Sequence, residues 1–502
     1  MQSPKSSPKD LADISALDCS TVSAVAEKLE AYAVEPEGER LPKLLPDGVD
    51  PCTDLANAHR MIGLYGNDLR FVGAWGKWMA WSGQRWQLDE AGQHMQLGAE
   101  TTKRIFREVP ALYEAGEAGL GDDRLKWAKK SQQARQISAM VQLAKTDPRV
   151  AVDHDAFDAD PWLLNVQNGT VDLRTGRVRP HRREDLITKI CPVAFDPAAR
   201  CPTWERFVSQ VMGDDVELVA YLQRMIGYAL TGSIREHVLG FFFGGGSNGK
   251  TTFLGAIRHV LGDYAAHAAR GLLIKRREQH PTELTDLLGR RFVTCAEIEE
   301  SDSFDEALVK DLTGGEPVKA RRMREDFWEF KPTHKLFIAG NHKPKVRGTD
   351  DGIWRRIRLV PFTVTIPDEQ KDKGLPAKLE TEAPGILAWA VRGCLEWQAQ
   401  GLGDPPAVLA ATAEYRKDSD TLGSFFATHL RFDSNARVLK SELVARLKAW
   451  SDEIGLTRLP SPRVVAARLK SEGVTESTMR VGLAVKECWR GVEVRLPLEA
   501  VA

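Results

Sequence analysis

The pattern of apolar and polar positions divides the chain into blocks of different period. Residues 55–65 repeat apolar side chains at helical spacing, and LRFVGAWGKWMAWSGQRWQLD (69–89) alternates them around small glycine turns. That combination predicts a helix followed by a β-meander. The strand tryptophans 75, 78, 81 and 86 are read as core, since aromatic side chains at this spacing bury more often than they stack bases. Helical periodicity returns over 97–146. In LLNVQNGTVDLRTGRVRPH (163–181), NG and TG turns then separate short strands. Two amphipathic helices are expected over 202–231, broken at Gly213. Beyond them, apolar runs at 238–243, 292–294, 334–340 and 357–362 read as buried strands set between helical stretches. Residues 385–400 and 406–419 read as helices. The last block, with FFATHLRF, KSELVARLKAWSDEIG, SPRVVAARLKSEG and CWRGVEVRL, reads as short helices and a terminal strand.

Composition narrows the class without naming a function. The chain has 502 residues, 42% hydrophobic, with 69 Lys+Arg against 70 Asp+Glu and a formal net charge of -1. Collagen, wholesale disorder and a small disulfide scaffold are excluded. The longest apolar runs fall far short of the roughly 20 residues that span a bilayer, so no membrane partner is expected. MQSPKSSPKD, at the start, lacks an apolar signal region, and residues 1–56 read as a disordered tail or linker with one short helix over 21–33. The seven cysteines are odd in number and widely spaced, which suits a reducing cytoplasm better than a disulfide framework or a zinc cluster. Balanced charge means that any nucleic-acid partner must be sought in local patches.

One segment carries chemistry. The apolar strand is followed by Gly244, Gly245, Gly246, Ser247, Asn248, Gly249, Lys250, Thr251 and Thr252, and then by an amphipathic helix bearing Phe253, Leu254, Ile257, Val260 and Leu261. Gly-x4-Gly-Lys-Thr between a strand and a helix is a phosphate-binding loop: glycines let backbone N–H groups wrap phosphates, the helix N-terminus adds a favourable dipole, Lys250 reaches the β- and γ-phosphates, and the Thr251 hydroxyl can ligate Mg²⁺. ATP with Mg²⁺ is the expected cofactor pair. Downstream, RRFVTCAEIEES sets Glu297, Glu299 and Glu300 past a short strand, where carboxylates hold metal and orient water. Strand alternation would put Glu297 and Glu299 on one face, with Glu297 the candidate metal ligand beside Thr251. Ser303-x-x-Glu306 reads as a capping box opening a helix that stops at Gly314 and Gly315. VKARRMREDFWEFKP alternates as a hairpin with Lys319, Arg321, Arg322 and Arg324 near its tip, suited to DNA phosphates. HKLFIAGN ends an apolar strand on Asn341, and Arg355 and Arg356 precede another buried strand.

Loop, acidic strand, basic hairpin, strand ending on Asn and Arg pair fit within about 120 residues. That order resembles the superfamily 3 helicases, and in detail the phage and plasmid primase-helicase family, whose helicase module is shared with poxvirus primase-helicases. NGTVDLRTGRVRPHRREDLITKICPVAFDP, LTGGEPVKARRMREDFWEF and AGNHKPKVRGTDDGIWRRIRLVPF carry the resemblance, which extends over residues 57–495. It implies an α/β chain with a P-loop NTPase core of AAA+-like superfamily 3 type, an α+β N-terminal domain and a C-terminal winged-helix-like module. The divisions expected are 1–56 tail, 57–200 N-terminal domain, 201–232 helical collar, 233–384 ATPase domain, 385–422 helical connector and 423–502 winged-helix-like module. It further implies a hexameric homo-oligomer that hydrolyses ATP at subunit interfaces and moves on single-stranded and fork DNA. Gly244, Gly249, Lys250 and Thr251 correspond to Walker A, Glu297 with Glu299 to Walker B, and Asn341 to the sensor. Arg355 or Arg356 corresponds to the finger on a neighbour's ATP, and the 319–324 hairpin to the channel element. EIEE departs from the adjacent acids of other branches, which leaves open which glutamate is base and which binds metal. Residues 1–56 offer no spaced aspartates, catalytic His or zinc ligands, so priming is expected from a separate primase or polymerase. Between 430 and 490 stand 12 Lys+Arg against 7 Asp+Glu, which suggests duplex contact with Arg463 and Arg468 on a recognition helix. A nucleotide-switched origin-binding or loading ATPase without processive unwinding is the alternative reading.

Overall fold

The computed structural model describes residues 44–269, 271–275, 281–295, 299, 302–321, 327–346, 351–454 and 459–495. The helix expected over 21–33 and most of the expected tail lie outside the described residues. The chain divides into two compact units, the first comprising 1–161, 165–170 and 178–190, and the second 162–164, 171–177 and 191–502.

In the first unit, α1 (Asp54–Tyr65) starts at Thr53, whose side chain accepts from the Ala56 N–H at 3.1 Å. It is followed by β1 (Leu69–Val72), β2 (Lys77–Trp81) and β3 (Trp86–Leu88), then α2 (Gln93–Glu114), α3 (Ala118–Ser131), α4 (Ala134–Ala144) and the short β4 (Ala151–Val152). The sheet order is β3-β2-β1-β4, antiparallel except for the parallel β1–β4 pair. Alternation along β1 and β2 turns Leu69, Trp78 and Ala80 onto α1 and α4, where they meet Met61, Ile62, Met140 and Val141. Val72, Met79 and Trp86 form a second cluster with Phe157. Trp78 and Trp86 are thus core residues, and Trp75 and Trp81 pack partly buried beside Trp86 and Phe157. Arg60 is also buried, held by both carboxylate oxygens of Glu108 at 2.6 and 2.7 Å.

Residues 163–179 form β5 (Leu163–Val166), β6 (Gly169–Asp172) and β7 (Arg177–Arg179), paired in that order. In the second unit α5 (Pro202–Val211) and α6 (Val216–Leu230) follow, separated at Gly213, which has φ +64°. The central sheet is parallel throughout, in the order β14-β8-β13-β10-β9, from β8 (Leu239–Phe243), β9 (Ala265–His267), β10 (Phe292–Cys295), β13 (Lys335–Gly340) and β14 (Ile357–Pro361). Its inner strands are buried along nearly their whole length, which is why they read as unbroken apolar runs. Between them lie α7 (Lys250–Leu261), α8 (Glu306–Gly314), the antiparallel hairpin β11 (Val318–Ala320) and β12 (Trp328–Phe330), and the short α9 (Asp351–Trp354).

Behind the sheet come α10 (Leu375–Thr381), α11 (Ala383–Gln400) and α12 (Pro406–Ser419). Helices α6 and α11 approach through glycines: a Cβ on Gly227 would stand 2.1 Å from the Cys394 nitrogen, and one on Gly393 2.1 Å from the Gln223 carbonyl. The chain closes with α13 (Thr421–His429), β15 (Leu430–Leu439), α14 (Lys440–Glu453), α15 (Pro462–Ser471), β16 (Thr475–Val481) and β17 (Ala484–Val494). These strands form an antiparallel sheet in the order β15-β17-β16, over a core of Phe425, Phe426, Leu443, Leu447, Leu469 and Trp489.

One cap differs from the sequence expectation. Helix α8 begins at Glu306 with Asp305 as its cap, accepting from the Leu308 N–H at 3.2 Å, so Ser303 is not the capping residue. Ser303 is instead buried and bridged to Lys345. Tertiary pairing claims the serine, and the nearer aspartate takes its place. No helix among the described residues is long and apolar enough to cross a membrane.

Candidate functional site

Parallel strands end together, so loops leaving their carboxyl ends converge on one rim of the sheet, where ligands of such folds bind. The loop 244–249 leaves β8, between β14 and the central strand β13. Gly244 is obligatory, because a Cβ there would stand 2.1 Å from the Phe362 carbonyl at the exit of β14. Gly249 has φ +82°, and a Cβ would press on Val211 and Phe207 of α5. Ser247 also takes a left-handed φ of 60°. Asn248 pins the loop, its amide donating to the carbonyls of Gly245 at 2.5 Å and Phe362 at 3.2 Å. Gly245 and Gly246 have nothing within 4 Å of a built Cβ, and they form the open lip together with exposed Ser247.

Lys250 opens α7 and is buried beneath this lip. Its Nζ donates to the carbonyls of Gly244 at 2.8 Å and Gly245 at 3.1 Å, to Asn248 Oδ1 at 2.9 Å and to Asn341 Oδ1 at 3.0 Å. Asn341 follows β13, the strand between β8 and β10, so topology alone brings it to the lysine. Thr251 stands exposed on the first turn of α7 with Thr252 half-buried after it. An ammonium with carbonyl and amide oxygens among its partners, under an open glycine lip at a helix N-terminus, has the chemistry to take an anion in exchange for those acceptors.

The acidic residues come out differently from their sequence pattern. Strand β10 ends at Cys295, and Glu299 sits exposed in a turn, where the Asp302 N–H donates to its carbonyl at 3.1 Å and its own N–H donates to Asp302 Oδ2 at 3.0 Å. Residues 296–298, between β10 and Glu299, lie outside the described residues. Glu297 and Glu300 lie outside the described residues. On the hairpin, Lys319 is exposed beside Glu329 at 3.5 Å and the Arg321 guanidinium lies 4.7 Å from the Phe327 ring centroid, while Arg322 and Arg324 lie outside the described residues.

The two arginines before β14 part company. Arg356 is buried, its Nε donating to Thr313 Oγ1 at 3.0 Å and its guanidinium to the Gly352 carbonyl at 2.5 Å. This arginine is bonded within its own chain, tying α8 to α9. Arg355 is exposed. Pairing of Pro361 with Phe243 puts the start of the glycine loop at the far end of β14 from Arg355. Six residues at roughly 3.3 Å each separate them by about 20 Å.

Sequence reasoning missed the segment after β14. Ile366 donates its N–H to the Ser247 carbonyl at 2.8 Å, and Lys371 places its Nζ 2.7 Å from Ser247 Oγ while also pairing with Asp368. A second cation thus stands on the open side of the loop. PFTVTIPDEQKDK contains no motif, and only its succession to β14 could have drawn attention to it. Phe327, an exposed aromatic at the hairpin tip, was likewise passed over.

The chain is similar to known proteins over parts of its length. A family described as D5 N terminal like matches residues 58–213, and one described only as a family of unknown function matches 242–356. "Putative helicase L207/L206" of Acanthamoeba polyphaga mimivirus is 25% identical over 320 residues, 59% of this chain and 33% of the viral protein. "Putative helicase 022R" of Frog virus 3 is 23% identical over 426 residues, 68% of this chain and 43% of the other. "Putative primase C962R" of African swine fever virus, strain Badajoz 1971 Vero-adapted, is 30% identical over 326 residues, 59% of this chain and 34% of the other. The chain thus spans a third to under half of the length of these relatives. Among solved structures, the apo NrS-1 C terminal region aligns with TM-score 0.45 and 10% identity, covering 84% of this chain and 95% of that one.

Proposed function

We propose that this chain is a primase-helicase relative acting as an ATP-dependent DNA helicase of superfamily 3, in the cytoplasm of a host cell, on replicating phage or plasmid DNA; the D5 N terminal like match over 58–213 and the similarity to viral proteins named putative helicase support this reading. The observation that carries the proposal is the environment of Lys250, one ammonium held by two loop carbonyls, Asn248 and Asn341 at the rim of a parallel sheet. In this reading residues 244–252 form a P-loop. The β- and γ-phosphates of ATP replace the Gly244 and Gly245 carbonyls on Lys250, and Asn341 keeps its contact and so registers the γ-phosphate. The exposed Thr251 hydroxyl fits a Mg²⁺ ion, which would neutralise charge on the phosphates together with a carboxylate beyond β10, Glu297 or Glu299.

Arg355 cannot serve its own loop about 20 Å away. Its exposure on the opposite rim supports action across a subunit boundary, hence a closed homo-oligomeric ring, for which we propose six subunits. Lys319 and Arg321, with Arg322 and Arg324, would line the channel and contact the phosphates of single-stranded DNA without reading sequence. The order α13-β15-α14-α15-β16-β17 would suit a winged helix, which supports the reading of the C-terminal module as DNA-binding. Priming would come from a separate primase or polymerase.

The test is ATP hydrolysis by mixtures of wild-type and Arg355→Ala subunits in the presence of single-stranded DNA. Action across the boundary predicts that activity falls faster than the wild-type fraction, and Arg356→Ala should instead lower thermal stability. Activity in simple proportion to wild-type content would argue against a finger in trans.

A further inference from the structure

The C-terminal hairpin carries a surface that the ATPase reading does not use. Strands β16 and β17 are joined by the two-residue turn Gly482–Leu483, with Val481 paired to Ala484. Gly482 has φ +63° at the first turn position, the geometry of a type II′ connection that only glycine adopts freely. This turn thrusts Leu483 outward, 98% exposed, between Val481 at 38% and Val485 at 71%. At the other end of the hairpin Cys488, Trp489 and Val492 are buried in the module's core. The base is therefore anchored while an apolar tip stands in solvent.

Charge is arranged around the tip with equal selectivity. Register sets Arg480 opposite Val485 and Lys486 opposite Met479, so the two cations project from opposite faces of the ribbon, and Arg490 shares the face of Lys486. Among the described residues no ion pair engages Arg480, Lys486 or Arg490. Elsewhere in the module Lys440 pairs with Glu476 and Glu487, Lys470 with Glu476, and Arg468 with Asp420 and Glu472, while exposed Arg437, Lys448 and Arg463 have no ion pair among the described residues. Arg468, expected from sequence to read DNA from α15, is thus occupied. Arg463, on the same helix, is exposed and has no ion pair among the described residues; what sets Arg480 and Lys486 apart is that they flank the apolar tip.

We propose that this hairpin is a wedge for duplex DNA, with Leu483 entering the base stack at a fork junction while Arg480 and Lys486 hold phosphates on the two sides of the groove. An apolar side chain at the end of a narrow ribbon, flanked by a cation on each face, matches the way proteins unstack a step and are repaid by backbone contacts. The inference rests on the chain being a fork-DNA enzyme only in its choice of substrate, since wedge insertion needs no nucleotide.

The experiment uses the full chain without nucleotide, and a fork carrying 2-aminopurine at the first base pair of the duplex. Wild-type binding should raise the fluorescence of that base. Leu483→Asp should abolish the rise and weaken fork binding about five- to tenfold, leaving single-strand affinity intact. Arg480→Ala/Lys486→Ala should lower the slope of log affinity against log salt by roughly 1.8, the value for two phosphate contacts. Unchanged fluorescence and salt slope in both variants would overturn the wedge. So would a switch from oligomer to monomer on Leu483→Asp without loss of fork binding, since the tip would then join copies of this chain. ATP hydrolysis measured on the same samples separates the two claims: a fluorescence rise with no hydrolysis would leave the wedge standing and sink the helicase.

Discussion

Two lysines are buried at opposite rims of the same parallel sheet, Lys250 with 5% of its surface exposed and Lys335 with 3%. Both are held chiefly by carbonyl oxygens, yet they do different things. Lys335 opens β13 and donates to the carbonyls of Thr231, Ser233 and Thr333, with its Nζ 5.0 Å from the Tyr228 ring centroid. Beside it Arg291, just before β10, donates to the carbonyls of Leu230 and Leu163 at 2.7 Å. Two cations therefore close the carboxyl end of α6, where the helix dipole and its unpaired carbonyls favour positive charge. Burial and the Arg291 charge push the Lys335 pKa well below that of an ordinary lysine. Two acceptors of Lys250, Gly245 in the glycine lip and Asn341, are exposed and on the proposed reading open to exchange with a phosphate, whereas those of Lys335 belong to a helix end and a turn enclosed by packing. A buried cation marks a ligand site when its partners can be exchanged, and a structural clamp when they cannot.

The largest expected effect is at the rim with exchangeable partners. Lys250→Ala should cut ATP hydrolysis by roughly two to three orders of magnitude while moving the thermal midpoint little, because water can take up the loop carbonyls. At the other rim the balance reverses. Lys335→Ala should cost about 3 kcal/mol in urea unfolding, from orphaned carbonyls and an unfilled space, with nucleotide affinity per folded molecule unchanged. A stable Lys335→Ala protein that failed to bind ATP would break the comparison.

Acid sharpens it further. His334, next to Lys335, is fully buried, and among the described residues neither ring nitrogen has a hydrogen-bond partner. Burial, helped by the Lys335 charge, pushes its pKa down to about 3 from an ordinary 6.5. The unfolded chain binds this proton first, so the stability gained by keeping His334 neutral is complete above about pH 6.5 and is lost as pH falls toward 3. The slope is ~1.4 kcal/mol per pH unit. Unfolding of His334→Leu at a series of pH values in that window should show about one proton less uptake than wild type. The smallest effect is at the lip: Lys371→Ala should raise KM for ATP about threefold with kcat unchanged, and Ser247→Ala should not reproduce it.

Much of this was legible in the sequence for a local reason. The apolar runs of β8 and β13 and the glycines between β8 and α7 declare themselves without knowledge of the rest of the chain. The meeting of Asn341 with Lys250 could be expected only from order along the chain, since 91 residues separate them. Charge gave the least. Arg355 and Arg356 are adjacent and identical in sequence terms, and only packing against Thr313 and Gly352 tells which is committed. Ser303 lost its cap to Asp305 and Lys371 had no pattern to announce it, because their partners Lys345 and Ser247 lie far along the chain, while Glu299 closes a local turn with Asp302.

The most direct measurement is strand displacement by the purified chain on a forked DNA duplex, with and without ATP, beside the Lys250→Ala variant. The account predicts separation of the strands by wild type only when ATP is present, and none by the variant. Hydrolysis of ATP with tight fork binding but no displacement would contradict it and favour a nucleotide-switched loader, and displacement by Lys250→Ala equal to wild type would remove the glycine loop from the mechanism altogether.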